Sequence, residues 1–472
     1  MKRAAAVALL AVSSLFAGTP ARVSGDDARL HGAFRRAEQN GWTFVHLEGT
    51  PAQIGFQHGY LLQPEIDDNY RVIRTTLTHE NKKKLAFFRD AAQNVFLPKI
   101  EAQYREELQG IADGLKARGS SMDFIDVVLL NASIEMSPYY TDWWDKQHGI
   151  IHKNKPAPEH CSAFVATGSW TKDGKVVIAH NNWSEYPEGE RWNVIFDIAP
   201  SAGHRILMDG SPGLIDSGDD FGENDAGIVI TETTIGYFSE FDPNGIPEFV
   251  RARKAMQYAT SVDEFASIMK QGNNGAYANT WLIADVNRSE IGQLELGLKE
   301  VMFNKKNDGF FVGSNFPEDP HLIANETPDY PANDMSISAN ARRVRWLQLM
   351  DENKGKIDLA MAQKFMADHY DSFAKKDNAP SERTLDGHID LSARGSLPWQ
   401  QPYGNAGAVQ NKAGDAAMVA HMQLTAAAGH ACGMDFKAAE YLREHPQYNW
   451  EKGILRDMNA HPWTTFSVAN AQ

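Results

Sequence analysis

Residues 159–183 read EHCSAFVATGSWTKDGKVVIAHNNW, and the change of character at Cys161 decides the fold. Before it, residues 146–160 (KQHGIIHKNKPAPEH) are polar, contain two prolines and show neither helical nor strand period. Such a stretch reads as an exposed linker in which backbone cleavage is tolerated. After it, 162–167 and 176–180 alternate as strands, and Asp173-Gly174 between them is a hairpin signal. A cysteine at the first position of a strand, directly after a linker, is an odd place for a core residue. If the bond between His160 and Cys161 is cut, Cys161 gains a free α-amine beside its own thiol. In model peptides that amine titrates near ~7.7–8.0 and a thiol near ~8.5. The amine can therefore take the thiol proton near neutral pH, so one residue supplies both nucleophile and base.

Working outward, residues 42–47 alternate as a strand, and Thr50-Pro51 opens a helix with a capping residue followed by a proline suited to the first turn. Helical spacing predicts further helices over 100–116 and from Ser121 to about Ile134, so the first third is largely helical. Strands are predicted at 194–198, 205–208, 228–233, 280–285 and 310–312. Helices are predicted at 247–258, 262–270 and 341–349. The last ~90 residues, rich in Gly, Ala and His, give no clear period. Hairpin-linked strands with helices inserted in blocks point to α+β layers and not to a βαβ wind.

The chain of 472 residues carries a formal charge of −15 with 61 acidic against 46 basic residues. Without a basic run it is a poor partner for phosphate backbones, so nucleic acid is not expected. The cluster Lys82-Lys83-Lys84 is read as a solvated helix face. Met-Lys-Arg followed by an apolar run over 4–16 and small residues through Gly25 describes a secretory signal peptide. The expected product is secreted or periplasmic, with no transmembrane anchor after signal removal. No HExxH, paired CxxC or EF-hand loop occurs, so no metal or cofactor is expected. No serine has glycine at both −2 and +2, which excludes a nucleophile elbow. The nearest stretch, Asp209-Gly-Ser-Pro-Gly, reads as a turn.

Five segments occur together between Cys161 and Pro317: Cys161-Ser162-Ala163, Ala179-His180-Asn181-Asn182-Trp183, Glu232-Thr233-Thr234-Ile235-Gly236, Gly275-Ala276-Tyr277-Ala278-Asn279-Thr280-Trp281 and Ser314-Asn315-Phe316-Pro317. In this order they resemble the phospholipase B-like family of N-terminal-nucleophile hydrolases, related to penicillin acyltransferase-like and bile-salt hydrolase-like enzymes. Residues 50–62 and the region of Arg342 extend the likeness, while the final third matches only loosely.

The resemblance implies a four-layer αββα sandwich. After the signal peptide over 1–25, it implies a largely helical fragment over 26–160 with the linker at its end and a catalytic fragment over 161–472, the two fragments staying associated after self-cleavage. Cys161 would be the nucleophile and Asn279 the oxyanion donor, with His180 and Trp183 flanking the nucleophile. An active-site threonine is implied at Thr233 or Thr234, the former being preferred. Strand alternation puts Thr231 and Thr233 on one face and Glu232 and Thr234 on the other. Trp183 and Thr234 are the candidate substrate contacts. An arginine near the site is implied at Arg342, with Arg343 and Arg345 as rivals.

The substrate implied is a small acyl compound, foremost a fatty acyl ester of a phospholipid. Amide hydrolysis or acyl transfer is the alternative, because fold and nucleophile do not set specificity. A reading of another class is an inert exported binding protein with the two cysteines, Cys161 and Cys432, joined as a disulfide.

Overall fold

The computed structural model describes residues 27–150, 161–218, 221–394 and 402–468. The signal-peptide reading and residues 151–160 of the expected linker lie outside these. Residues 146 and 147 close the helix Thr141–Gln147, so the linker cannot begin where the sequence suggested.

Two sheets form among the described residues. The larger runs, in spatial order, Phe34–Arg35, Thr43–Gly49, Val194–Pro200, Ile206–Gly210, Gly222–Asn224, Ile228–Thr234, Asn279–Asp285, Glu290–Leu296 and Val301–Lys306. All its neighbours are antiparallel except Thr43–Gly49 beside Val194–Pro200. The smaller sheet is antiparallel throughout, in the order Gly309–Gly313, Ser162–Thr167, Val177–Glu185, Ala406–Asp415, Gln423–Ala428 and Thr464–Ser467.

Alternation sorts the strand residues into layers. Phe44, Val165, Ile178, Leu207, Val229, Leu282 and Leu424 form the core between the sheets. On the outer side of the larger sheet, Val45, Phe196, Ile230 and Trp281 pack against Ile54, Leu108, Leu130 and Phe249 of the helices. On the outer side of the smaller sheet, Phe164, Ala166 and Val177 pack against Trp346, Leu349 and Phe365. The molecule is thus helix, sheet, sheet, helix, the α+β layering expected.

The first third docks through a capped helix. Thr50 and Gln53 form a reciprocal capping box at the start of Pro51–Leu61, with Pro51 in the first turn. This helix crosses Ala102–Ala117 so closely that a Cβ at Gly55 would lie 1.9 Å from the Glu107 carbonyl oxygen. The Thr43–Gly49 strand sits inside the larger sheet, so residues before the linker are part of the same core as those after it. Burial of Phe44, Val45 and Leu47 there contributes roughly 1.5–3 kcal/mol per side chain.

The lysine cluster is not a solvated helix face. Lys82 ends the helix Gln63–Asn81 with a left-handed backbone, and Lys83 turns inward to pair with Asp145 at 2.6 Å. Asp209-Gly-Ser-Pro-Gly does form a turn after Ile206–Gly210, and the Gly213 N–H donates to His58 Nε2 at 3.0 Å.

Candidate active site

Cys161 stands at the head of Ser162–Thr167, a strand flanked on both sides. Gly313 pairs with Ala163 on one side, and Ser162 and Ala163 pair with Asn181 and His180 on the other. The cysteine is buried and has φ of +85°, in the left-handed region that costs a non-glycine residue on the order of 1–2 kcal/mol. Its thiol lies 3.6 Å from Asn182 Oδ1 and 3.9 Å from Glu232 Oε1.

Val177–Glu185 carries two sets of side chains by alternation. His180 and Asn182 turn toward Cys161. Asn182 is held from behind by Gln410, to whose Oε1 it donates at 2.8 Å. The ligating atoms of Cys161, His180 and Glu232 all lie within 4.8 Å of one another. Neither ring nitrogen of His180 has a hydrogen-bond partner among the described residues. Burial, together with the nearby charge of Lys412, holds the imidazole well below its ordinary pKa, so it is neutral. Lys412 is paired with Asp209 at 2.8 Å, both fully buried.

On the opposite face, Asn181 donates to the Met366 and Leu385 carbonyls at 2.8 and 2.9 Å, and the Trp183 indole N–H reaches Leu385 at 3.3 Å. Trp183 is therefore a wall facing away from His180. Its ring lies under the Arg342 guanidinium, 4.3 Å from Cζ to centroid.

Arg342 projects from the helix Ser338–Glu352 and is fully buried. Its guanidinium donates to the Cys161 carbonyl, to Ser162 Oγ at 3.2 Å and to Asn315 Oδ1 at 2.7 Å, while Nε reaches Ser338 Oγ at 3.0 Å. Asn315 in turn donates to the Thr234 carbonyl at 2.7 Å. The two rival arginines lie elsewhere, Arg343 on Glu318 at 2.6 Å and Arg345 on Asp368 at 2.6 Å. Arg342 thus grips the backbone of Cys161 itself, and a planar fork suits that task better than an ammonium would.

The larger sheet supplies the other wall. Asn279 pairs across strands with Thr234, and Trp281 with Glu232. Asn279 is fully buried, and neither its Oδ1 nor its Nδ2 has a partner among the described residues. An unpaired buried amide costs roughly 1–3 kcal/mol, which calls for a function or a bridging molecule. The hydroxyls of Thr233 and Thr234 are likewise unpartnered. Thr233 faces the other sheet so closely that a Cβ on Gly313 would lie 2.6 Å from its Oγ1.

Three participants went unnamed among the predicted site residues: Glu232, Asn182 and Tyr277, whose hydroxyl donates to Glu232 Oε1 at 3.1 Å. Asn182 was accessible by alternation, two residues from His180. Glu232 was not, because a lone carboxylate among the threonines of Ile228–Thr234 has no spacing signature. Cys161 and Cys432 are not joined as a disulfide, so the disulfide reading does not hold. Cys432 lies instead beside His388, Sγ to Nε2 3.7 Å.

The family model described as Phospholipase B matches residues 37–465. The chain is 26% identical over 260 residues to an uncharacterized protein of Archaeoglobus fulgidus, covering 50% of this chain and 40% of that protein. It is 31% identical over 154 residues to putative phospholipase B-like 1 of Caenorhabditis elegans, covering 31% and 27%. It is 22% identical over 290 residues to phospholipase B-like protein C of Dictyostelium discoideum, covering 52% and 51%. The alignments thus span about half or less of these relatives' own lengths. A conjugated bile acid hydrolase mutant from Clostridium perfringens superposes over 56% of this chain and 88% of its own, at 11% identity and a TM-score of 0.32, too loosely to assign chemistry.

Proposed function

The chain belongs to the phospholipase B family, and from that premise we propose that it is an exported hydrolase that cuts itself before Cys161 and then uses Cys161 to cleave acyl bonds, foremost the fatty acyl esters of phospholipids. The observation that carries this reading is the gathering of the Cys161 thiol, the unpartnered His180 ring and Glu232 within 4.8 Å at the head of one strand.

In maturation the Cys161 sulfur attacks the His160 carbonyl carbon and the peptide nitrogen leaves, taking up a proton as the α-amine. Water then hydrolyses the thioester, giving a carboxylate on His160 and the free thiol. The guanidinium of Arg342 on the Cys161 carbonyl is a positioning group that holds this residue in its left-handed backbone. In turnover the α-amine takes the thiol proton and the thiolate attacks the ester carbonyl. Asn279 Nδ2 donates to the oxyanion, a contact of a kind worth roughly 2.7–4 kcal/mol of barrier. The alcohol leaves with the proton from the ammonium, and water, deprotonated by the amine, resolves the acyl-enzyme.

Glu232 offsets the positive charge that develops on the amine. The neutral His180 orients the nucleophile without competing as a cation. Thr234, on the same face as its cross-strand partner Asn279, offers its hydroxyl to the acyl group. Trp183 acts through Arg342 as its stacking support. The two fragments stay associated because Thr43–Gly49 is a strand of the larger sheet.

The test is release of fatty acid from phospholipid vesicles by the purified chain, with N-acyl amides assayed in parallel. Ester cleavage that disappears in Cys161→Ala is the expected result. Faster amide than ester hydrolysis assigns an amidase, and a Cys161→Ala chain that turns over normally removes the cysteine mechanism.

A further inference from the structure

Away from the nucleophile, on the outer side of the smaller sheet, four side chains from three separate segments converge. His369 follows the helix Leu359–Met366, Asp386 and His388 lie in the loop before the Ile389–Leu391 turn, and Cys432 follows the strand Gln423–Ala428. Their potential ligand atoms all lie within 4.8 Å of one another. His369 Nε2 is 3.2 Å from His388 Nε2 and 3.3 Å from Asp386 Oδ2. His388 Nε2 is 3.7 Å from Asp386 Oδ2 and 3.7 Å from Cys432 Sγ.

A hydrogen-bonded cluster accounts for one imidazole nitrogen facing another. It does not account for His388 Nε2, a ring nitrogen with at most one proton, having His369 Nε2, Asp386 Oδ2 and Cys432 Sγ as neighbours at once. A tetrahedral zinc ion with Zn–N near 2.0–2.1 Å and Zn–S near 2.3 Å would set its ligand atoms about 3.3 Å apart for two nitrogens and about 3.6 Å for nitrogen and sulfur. The His369–His388 separation of 3.2 Å and the His388–Cys432 separation of 3.7 Å are close to those edges, and the remaining pairs all lie within 4.8 Å.

The surroundings behave as supports of metal ligands do. Asp386 Oδ2 accepts from the Cys432 backbone N–H at 3.0 Å, and its Oδ1 faces His430 Nδ1 at 3.3 Å. The His430 ring stacks on His388 with centroids 3.9 Å apart, and its Nε2 faces the Tyr186 hydroxyl, which donates to Asp390 at 2.8 Å. We propose that His369, Asp386, His388 and Cys432 form a closed, four-ligand zinc site of structural kind. One thiolate, two imidazoles and one carboxylate suit Zn²⁺ better than an oxygen-seeking cation, and four protein ligands leave no open position for hydrolytic chemistry.

The ion ties the 369–388 segment to the chain after residue 428. The Leu385 carbonyl, next to Asp386, accepts from Asn181 and Trp183 on the strand that carries His180. The site therefore braces the wall behind the nucleophile.

The experiment uses the full chain carrying Cys161→Ala, in which Cys432 is the one remaining thiol. Elemental analysis after gel filtration is expected to give one zinc per chain, falling to none in chains that also carry His369→Ala. Replacement of zinc by Co²⁺ is expected to give the visible bands of tetrahedral cobalt and a near-ultraviolet thiolate-to-metal band, the latter lost on adding Cys432→Ser. A chain that retains no zinc and gives no thiolate band with Co²⁺ overturns the proposal, whether or not the His369 variant folds. Substoichiometric zinc indifferent to both substitutions also overturns it, as adventitious metal.

Discussion

The two cysteines have neighbourhoods of the same composition, a thiol beside imidazole and carboxylate, and opposite construction. Around Cys161 the polar atoms are left over: both nitrogens of His180, both amide atoms of Asn279 and the hydroxyls of Thr233 and Thr234 lack partners among the described residues. Around Cys432 the ligating atoms face one another, and the next shell of His430, Tyr186 and Asp390 is joined by further contacts. Burying unpaired polar groups destabilises a fold, and four residues with such groups on the walls about Cys161 suit a place where a reacting molecule supplies the partners. A cluster closed upon itself is suited to holding chain segments together. Residue type alone does not separate these two uses; the partners do.

The largest expected effect breaks the comparison at its first member. Cys161→Ala should abolish the second chain and lower acyl hydrolysis by on the order of 10⁴-fold or more, measured by gel and fatty-acid release. Asn279→Ala should lower kcat by about 10²–10³, roughly 2.7–4 kcal/mol, with little change in KM. A variant that instead unfolds at lower temperature while keeping its kcat would make Asn279 a structural residue.

At the second member, a zinc chelator should lower the stability of the wild type by about 2.7 kcal/mol where zinc had been 100-fold above its Kd, read as a fall in the thermal midpoint. The Cys432→Ser chain, already weakened, should show a smaller response, and equal responses would remove the thiol from the site.

The smallest effect is in pH. Burial pushes Glu135, Glu188 and Glu295 up to about 7 and Glu451 to about 8, against an ordinary 4.5. Their contribution to stability is fully present below 4.5 and is lost as pH rises through 7 to 8. His58, held down at about 3 by burial, and His180, also lowered, work in the other direction, but only below 6.5, where the unfolded imidazoles take protons. Between pH 6.5 and 8 the carboxyls act alone, so the thermal midpoint should fall, each group contributing less than about 1.4 kcal/mol per pH unit. A flat or rising profile over that window contradicts their protonated burial.

Much of this was legible where local chemistry is strong. Thr50-Pro51 announces a capped helix because the capping groups are neighbours in sequence, and residues 162–167 alternate because each face meets a different core. The strands Ala406–Asp415 and Gln423–Ala428 were not legible. They are rich in Ala and Gly and buried along nearly their whole length, so alternation is missing and β-branching is reduced to Val409 and Thr425. The cluster at Cys432 was hidden because its members are spread from His369 to Cys432, and the one short spacing, Asp386 to His388, is too common to mark a site. Lys83 misled for a related reason: its partner Asp145 is remote in sequence. At the candidate site, the odd placement of Cys161 could be read from the chain, whereas Glu232 became visible only through the distance that brings it to the sulfur.

The central claim is that Cys161 is both the point of self-cleavage and the catalytic nucleophile. N-terminal sequencing with intact mass of the purified, active protein tests it most directly. Two associated chains, one beginning at Cys161, are predicted. A single uncut chain running through residue 161, with full acyl hydrolase activity, would contradict it.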